Sequence, residues 1–231
     1  MKPLVKIGLI VLMAFGISSC DDFFDDDDDG YSLGDFWVGF GILHSNSQSD
    51  TDFTVEMDNG SVLIPINNYR PWDLENSDRV LINYTIVGDK KVTEDEKQYY
   101  VKVNSMSEVL YKGIFDITPA KEDSIGNDPI RVEDVWKSKN MLTLQLGFYG
   151  NVKKHYINLV KQPGTLTPES QPVQLELRHN ENDDERIFNM TAFVTFDLSA
   201  IQIAGQDTVS YVVKGKKYNG DDFSFKGVYR Y

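Results

Sequence analysis

From Phe36 onward, apolar side chains recur at every second position, the period of strands that bury one face and wet the other. Phe36, Val38, Phe40 and Ile42 open the series, and Phe53, Val55 and Met57 carry it to Asp58-Asn59-Gly60. Asn-Gly tolerates positive φ at both positions, so the spacing predicts a type I′ hairpin turn there. The chain then returns through Val62, Ile64 and Ile66. The stretch 80–87 is β-branched and aromatic and predicts a central strand. After a charged loop at 88–97, Tyr99, Val101 and Val103 alternate again, and Val109 and Leu110 close the set. About six short strands with little helix match a small five-stranded barrel.

Residues 119–129 are polar, carry Gly126 and begin and end in proline, so they predict a linker. Beyond it the alternation resumes. Leu142, Leu144, Leu146 and Phe148 share one strand face, and 156–160 forms another strand, stopped by Pro163-Gly164. Val173, Leu175 and Leu177 oppose Gln174, Glu176 and Arg178. Met190, Ala192, Val194, Phe196 and Leu198 make the longest stripe. Val209-Tyr211-Val213 and Phe223-Phe225 follow, with a turn at Tyr218-Asn219-Gly220-Asp221 between them. This half predicts an antiparallel sandwich of immunoglobulin-like architecture, although the Cys…Trp…Cys pattern of antibody domains is missing. The expected fold class is therefore all-β: residues 34–118 an OB-like barrel, 119–129 a linker and 130–231 a β-sandwich.

The N-terminus breaks this pattern. Lys2 and Lys6 precede a charge-free apolar run at 7–17, too short for the roughly 20 residues a membrane-spanning helix needs. It ends in Ile17-Ser18-Ser19-Cys20, which resembles a bacterial lipobox. Residues 1–19 then read as a lipoprotein signal peptide, and Cys20 becomes a diacylglycerol-bearing N-terminus. Cys20 is also the chain's single cysteine, so disulfides and Cys-based metal sites are excluded and core packing must hold the fold. Residues 20–33 predict an acidic tether, because seven of the ten residues at 21–30 are Asp and repel one another. A calcium site is the sharper alternative, but the run lacks alternating ligands around a turn glycine. An acidic stretch behind a lipidated cysteine also resembles the surface-export signal of Bacteroidota-type lipoproteins. Ser124 and Thr208 sit in three-residue stretches that resemble the O-glycosylation motif of the same bacteria.

Charge narrows the partners. The chain carries −13, and without Lys2 and Lys6, the only charged residues ahead of Cys20, it carries −15. Nucleic acid is excluded as a partner, since it asks for a basic face. Docking on anionic headgroups is disfavoured too, leaving the lipid anchor as the membrane contact. An acidic body suits solubility or a basic protein partner.

Several stretches together resemble the NigD-like lipoprotein family. In the first half they are Met57-Asp58-Asn59-Gly60 with Pro65, 78–86, and Tyr100-Val101-Lys102-Val103-Asn104. In the second half they are Val135-Trp136, 142–150, 154–160, 175–180 and Phe196-Asp197-Leu198-Ser199. The resemblance implies an N-terminal OB-like barrel and a C-terminal immunoglobulin-like sandwich on a lipid anchor, in a family named for bacteriocin immunity. It implies no catalytic residues. One departure stands out: Lys137-Ser138-Lys139-Asn140 occupies a turn where the family pattern calls for glycine.

Candidate chemistry is sparse. No nucleophile elbow, zinc-protease helix or phosphate-binding glycine loop is present, and neither an enzyme nor a cofactor is expected. Of His44, His155 and His179, the latter two fall in stretches that match the family pattern, and a structural role is the expectation over metal binding. Asp183-Asp184-Glu185 reads as a solvated loop tip, while Asp197 is the one acid inside an apolar stripe. The candidate ligand-binding residues are Tyr69, Arg70 and Trp72, between strands where no alternation demands a large apolar side chain. Such a cluster suits an interaction hot spot or sugar stacking. In the alternative, Trp72 folds back to plug the barrel. The expected function is a non-enzymatic binding module of the outer envelope with a protein partner, or alternatively a glycan-binding accessory lipoprotein.

Overall fold

The computed structural model describes residues 34–45, 52–67 and 69–231, so Cys20, the signal segment and the acidic tether lie outside the described residues. Strands β1 (Trp37–Ser45), β2 (Phe53–Met57), β3 (Val62–Pro65), β4 (Arg79–Val92) and β5 (Lys97–Glu108) close into a barrel in the order β1-β2-β3-β5-β4. Closure is made by β1 against β4, with Trp37 opposite Tyr84 and Ile42 opposite Arg79. Strand β4 shifts register against β5 between Asn83 and Tyr84, Ile86 and Gly88, and Asp89 and Lys91. Irregularities of this kind bend a strand enough to wrap it round a small barrel. Leu43, Val55, Leu63, Val80, Ile82, Val101 and Val103 fill the interior.

Two expectations are corrected within the barrel. The stripe Phe36-Val38-Phe40-Ile42 does not face the core; Trp37 and Leu43 of the opposite face pack with it instead. Gly39 and Gly41 sit on that inner face, where a Cβ on Gly41 would come within 2.8 Å of the Glu56 carbonyl oxygen. Small residues there let β2 cross close to β1, and the large side chains are left for the outer surface. The turn at Asp58-Asn59-Gly60 is not type I′, since only Gly60 has positive φ (84°). The Gly60 N–H donates to Met57 O and the Met57 N–H to Ser61 O, which makes a three-residue hairpin loop with glycine in the left-handed position.

The second body contains β6 (Leu110–Gly113), β7 (Phe115–Asp116), α1 (Pro119–Ile125), β8 (Arg131–Ser138), β9 (Met141–Gly150), β10 (Tyr156–Lys161), β11 (Val173–Asn180), β12 (Phe188–Asp197), β13 (Thr208–Lys216) and β14 (Asp222–Arg230). They form two sheets, β14-β13-β11-β10-β7 and β6-β12-β9-β8. Leu144, Leu146, Leu159, Leu175, Leu177, Phe196 and Val213 are buried between them. The sheets are mixed, not purely antiparallel: β7 with β10, β6 with β12, and β11 with β13 run parallel. The expected boundary at 118 also shifts. Leu110, read as the close of the barrel, begins a strand of the sandwich, and both β6 and β7 pair within its sheets. Residues 119–129 hold the short helix α1, whose Ile125 packs with Ile117 and Val160.

Barrel and sandwich meet at a polar junction. Arg79, fully buried, reaches both carboxylate oxygens of Asp58 at 2.5 and 2.6 Å. Across the junction Ser138 Oγ donates to Asp58 O (3.1 Å) and Trp136 Nε1 approaches Asp58 Oδ2 (3.4 Å). Phe40 of the barrel packs on Trp136 and Phe193 of the sandwich, with ring centroids 5.0 and 5.1 Å away. This contact explains why the large face of β1 points outward.

Candidate binding loop and buried histidine pair

The β3–β4 connection carries Tyr69, Arg70 and Trp72, and its neighbours pin it. Asn67 brackets Val103, its Nδ2 donating to Val103 O (2.9 Å) and its Oδ1 accepting the Val103 N–H (2.8 Å). At the far end the Ser77 N–H donates to Leu43 O, and Asn76 Oδ1 accepts the Ser45 N–H. Leu74 is 2 % exposed and joins the barrel core, so it takes the plugging role for which Trp72 was the alternative. Trp72 points the other way and is 96 % exposed; Tyr69 is 43 % exposed. Arg70 behaves differently. It is half-buried, and its Nε donates to Leu74 O at 3.1 Å, so its guanidinium shapes the loop. The two aromatic candidates are thus presented to solvent, and the third holds up the segment between them.

The histidines gave a result that sequence spacing could not supply. His155 precedes β10 and His179 lies on β11, and the pairing of these strands sets the rings together: His155 Nδ1 is 2.9 Å from His179 Nε2. His179 Nδ1 faces Pro129 O at 3.1 Å, and His155 Nε2 faces Asp184 Oδ2 at 3.3 Å. The rings stack 5.0 Å apart, and Phe148 covers both. Asp184, read as a solvated tip, is in fact buried and accepts the Asn151 N–H at 2.5 Å and the Val152 N–H at 3.3 Å. Asp197 does not join the histidines. Its Oδ1 caps the turn at 198–201 through the Ser199 N–H and accepts from Asn140 Nδ2, each at 2.8 Å.

Proton counting defines this buried chain. Its two ends, the Pro129 carbonyl and the Asp184 carboxylate, are both acceptors, so three hydrogen bonds need three ring protons. Two neutral imidazoles supply two. Filling all three therefore takes one proton more than two neutral imidazoles carry. Burial pushes His179 below its ordinary value. Burial opposes ionisation of Asp184, but the backbone N–H groups of Asn151, Lys153 and Val152, with His155, hold its carboxyl well below the usual range. The His155 and Asp184 side chains are 4 % and 2 % exposed and His179 is 0 % exposed, so no face is open to a substrate. The arrangement ties the loops after β9 and β11 to the segment before β8.

A closed five-stranded barrel in this strand order, followed by a sandwich of five and four strands, defines a two-domain OB-plus-sandwich protein. Residues 45–109 match the NigD-like N-terminal OB domain and residues 113–226 the NigD-like C-terminal beta sandwich domain; the chain belongs to the NigD-like family. No curated protein matches the sequence. Among solved structures, one described as a toxin-related protein from Parabacteroides distasonis ATCC 8503 superposes with a TM-score of 0.68 at 26% identity, over 85% of this chain and 94% of that one. A NigD-like immunity protein from Bacteroides caccae ATCC 43185 gives 0.61 at 18% identity, over 86% and 98%. One described as a lipoprotein from Bacteroides fragilis NCTC 9343 gives 0.61 at 15%, over 85% and 98%. The last two likenesses concern the fold alone.

Proposed function

We propose that the chain is a non-enzymatic binding protein of the cell envelope, held on the outer membrane through lipid on Cys20 and exposed at the surface. It engages a protein partner through the Trp72 loop. The observation that carries this reading is Trp72 itself, 96 % exposed on a loop pinned at both ends and underneath. A fixed, solvent-facing tryptophan gives up little conformational freedom on binding and offers a large apolar face, the character of an interface hot spot. The −13 charge of the chain favours a basic partner by steering its approach, which suits an immunity role against an antibacterial protein. A pull-down from envelope extract and culture fluid, with residues 30–231 as bait at low and high salt, tests it. The expected result is a protein retained at low salt, released at high salt and lost with Trp72→Ala. No such protein, with glycans retained on an array through Trp72 and Tyr69, would overturn the reading in favour of sugar binding by the loop.

A further inference from the structure

A cavity of about 240 Å³ opens between the barrel and the sandwich, and the far end of the β3–β4 connection supplies Ser77 to its lining. Its floor is apolar, made by Ile42 and Met57 from the barrel and Met141 from the sandwich. Its rim is polar, with Glu56 and Ser77 on one side and Tyr111, Lys139 and Asn140 on the other. Domain junctions with an apolar floor and a few convergent polar groups are where small ligands bind, and ligand pockets start at about 300 Å³. This one stands just below that range, large enough for a single small ring.

Backbone conformation sets the cavity apart. Among the described residues four non-glycines have positive φ: Ser77 (75°), Lys139 (52°), Asn182 and Asp183. Asn and Asp tolerate the left-handed region, whereas Ser and Lys do not. The two that do not, one from each domain, both line this cavity. Lys139 also belongs to the 137–140 stretch, the turn in which the family pattern calls for a glycine. Glycine would fit that backbone without strain. Lys139 does bond Glu56 across the cleft, but an ion pair with side chains 59% and 36% exposed contributes little to stability. Lys139 opens the two-residue β8–β9 hairpin turn, which asks for positive φ, and a lysine there in place of glycine points to a role for the side chain.

The lining chemistry identifies the ligand class. Both carboxylates of the lining are paired, Glu56 with Lys139 and His44 and Asp58 with Arg79. The Tyr111 phenol keeps its proton, because burial first and the Asp197 charge second raise it above its ordinary value. The rim thus mixes ammonium and hydroxyl donors with carboxylate and amide acceptors, above a floor of methyl and thioether groups. A ring with one C–H face and an edge of hydroxyls satisfies both surfaces together. We propose that this cleft binds a neutral pyranose ring, either a free sugar or the terminal residue of a glycan. The lining includes Ser77 of the β3–β4 connection but not Tyr69, Arg70 or Trp72, and the proposal does not rest on the function proposed for those residues.

Saturation-transfer NMR tests it, using the full chain in a detergent without a sugar head group. The probes are methyl hexopyranosides and oligosaccharides that end in the same residues. The expected result is saturable transfer concentrated on one ring face, weakened at least tenfold by Lys139→Gly and by Tyr111→Ala, and unchanged by Trp72→Ala. Lys139→Gly removes the side chain while relieving the backbone, so its melting temperature is expected to match or exceed that of the parent. Equal affinity for monosaccharide and oligosaccharide assigns a free sugar; a tenfold preference for the oligosaccharide assigns a glycan end. Absence of transfer from every probe, transfer untouched by Lys139→Gly, or transfer lost with Trp72→Ala would each overturn the proposal.

Discussion

Asp58→Asn removes one charge from the barrel–sandwich junction and nothing else of comparable size. Its partner Arg79 has a side chain with no exposure, both terminal nitrogens on the Asp58 carboxylate and, among the described residues, only Thr143 Oγ1, at 3.4 Å, as a further hydrogen-bond partner. The Arg79 Nε finds no acceptor among the described residues, so the guanidinium depends on the carboxylate for its compensation. Breaking a buried pair from one side leaves an uncompensated charge and costs about 3–5 kcal/mol. For a chain of this size that lowers the melting temperature by roughly 6–20 °C. The Asp58 main-chain carbonyl, which accepts from Ser138, is untouched by the change. Combining it with Arg79→Met removes the stranded charge and sets a flexible apolar chain beside the Phe40 ring, 5.5 Å from the guanidinium in the parent. The double variant is expected within about 1 kcal/mol of the parent, since apolar replacement of a buried pair is often neutral. Urea unfolding followed through tryptophan fluorescence, with Trp136 at the junction, reports the full cycle. A cost below about 1 kcal/mol for Asp58→Asn, or a double variant no more stable than Asp58→Asn alone, refutes the view that an uncompensated Arg79 charge governs this junction.

Four further outcomes are expected. The folded-state values of His179 and Asp184 both lie below their unfolded values of 6.5 and 3.8, so their stabilising contributions are complete above those values and are lost as pH falls through the folded ones. Urea midpoints should therefore drop on acidification below about pH 6.5 and again below about pH 4, and His179→Gln should flatten the first drop. Leu74→Ala should cost about 2–5 kcal/mol by opening a cavity in the barrel core, and should raise amide exchange through the Trp72 loop. Gly41→Ala should cost about 1–3 kcal/mol in denaturant titrations, because its Cβ would meet backbone of β2 that cannot move aside. Trp72→Ala should change stability by less than about 0.5 kcal/mol yet weaken partner binding by about 2 kcal/mol or more in a titration calorimeter.

What the sequence made legible was the part of the fold that rests on local periodicity. Alternation at 53–57, 80–87, 142–148 and 173–177 marks strands of the barrel and the sandwich, because one side chain in two must be buried wherever a sheet has one wet face. Alternation does not say which face meets which body. The Phe36-to-Ile42 stripe is as regular as the others, yet its Phe40 packs on Trp136 and Phe193 of the sandwich while Gly41 lines the barrel. Short strands were invisible for a related reason. Strand β7 is two residues long and β6 four, too few to show a period, and they pair with β10 and β12, which lie far along the chain. The sites follow the same division. For Trp72 the sequence left exposure and barrel plugging both open, because a large aromatic without an alternating neighbour has no strand face to assign it to, and the structure exposes it. The His155–His179–Asp184 chain was not, because it is assembled by the pairing of β10 with β11 and closed by a loop acid that looks solvated in one dimension. Lys139 lies between these cases. The sequence marked the turn at 137–140 as a misfit without saying which residue carried it, and the structure places positive φ on Lys139, at the rim of an interdomain cavity. A residue that violates a local rule marks where something other than folding has set the choice of side chain. In this chain that mark falls on the cleft between the two domains, where each domain supplies part of the floor, part of the rim and one strained residue.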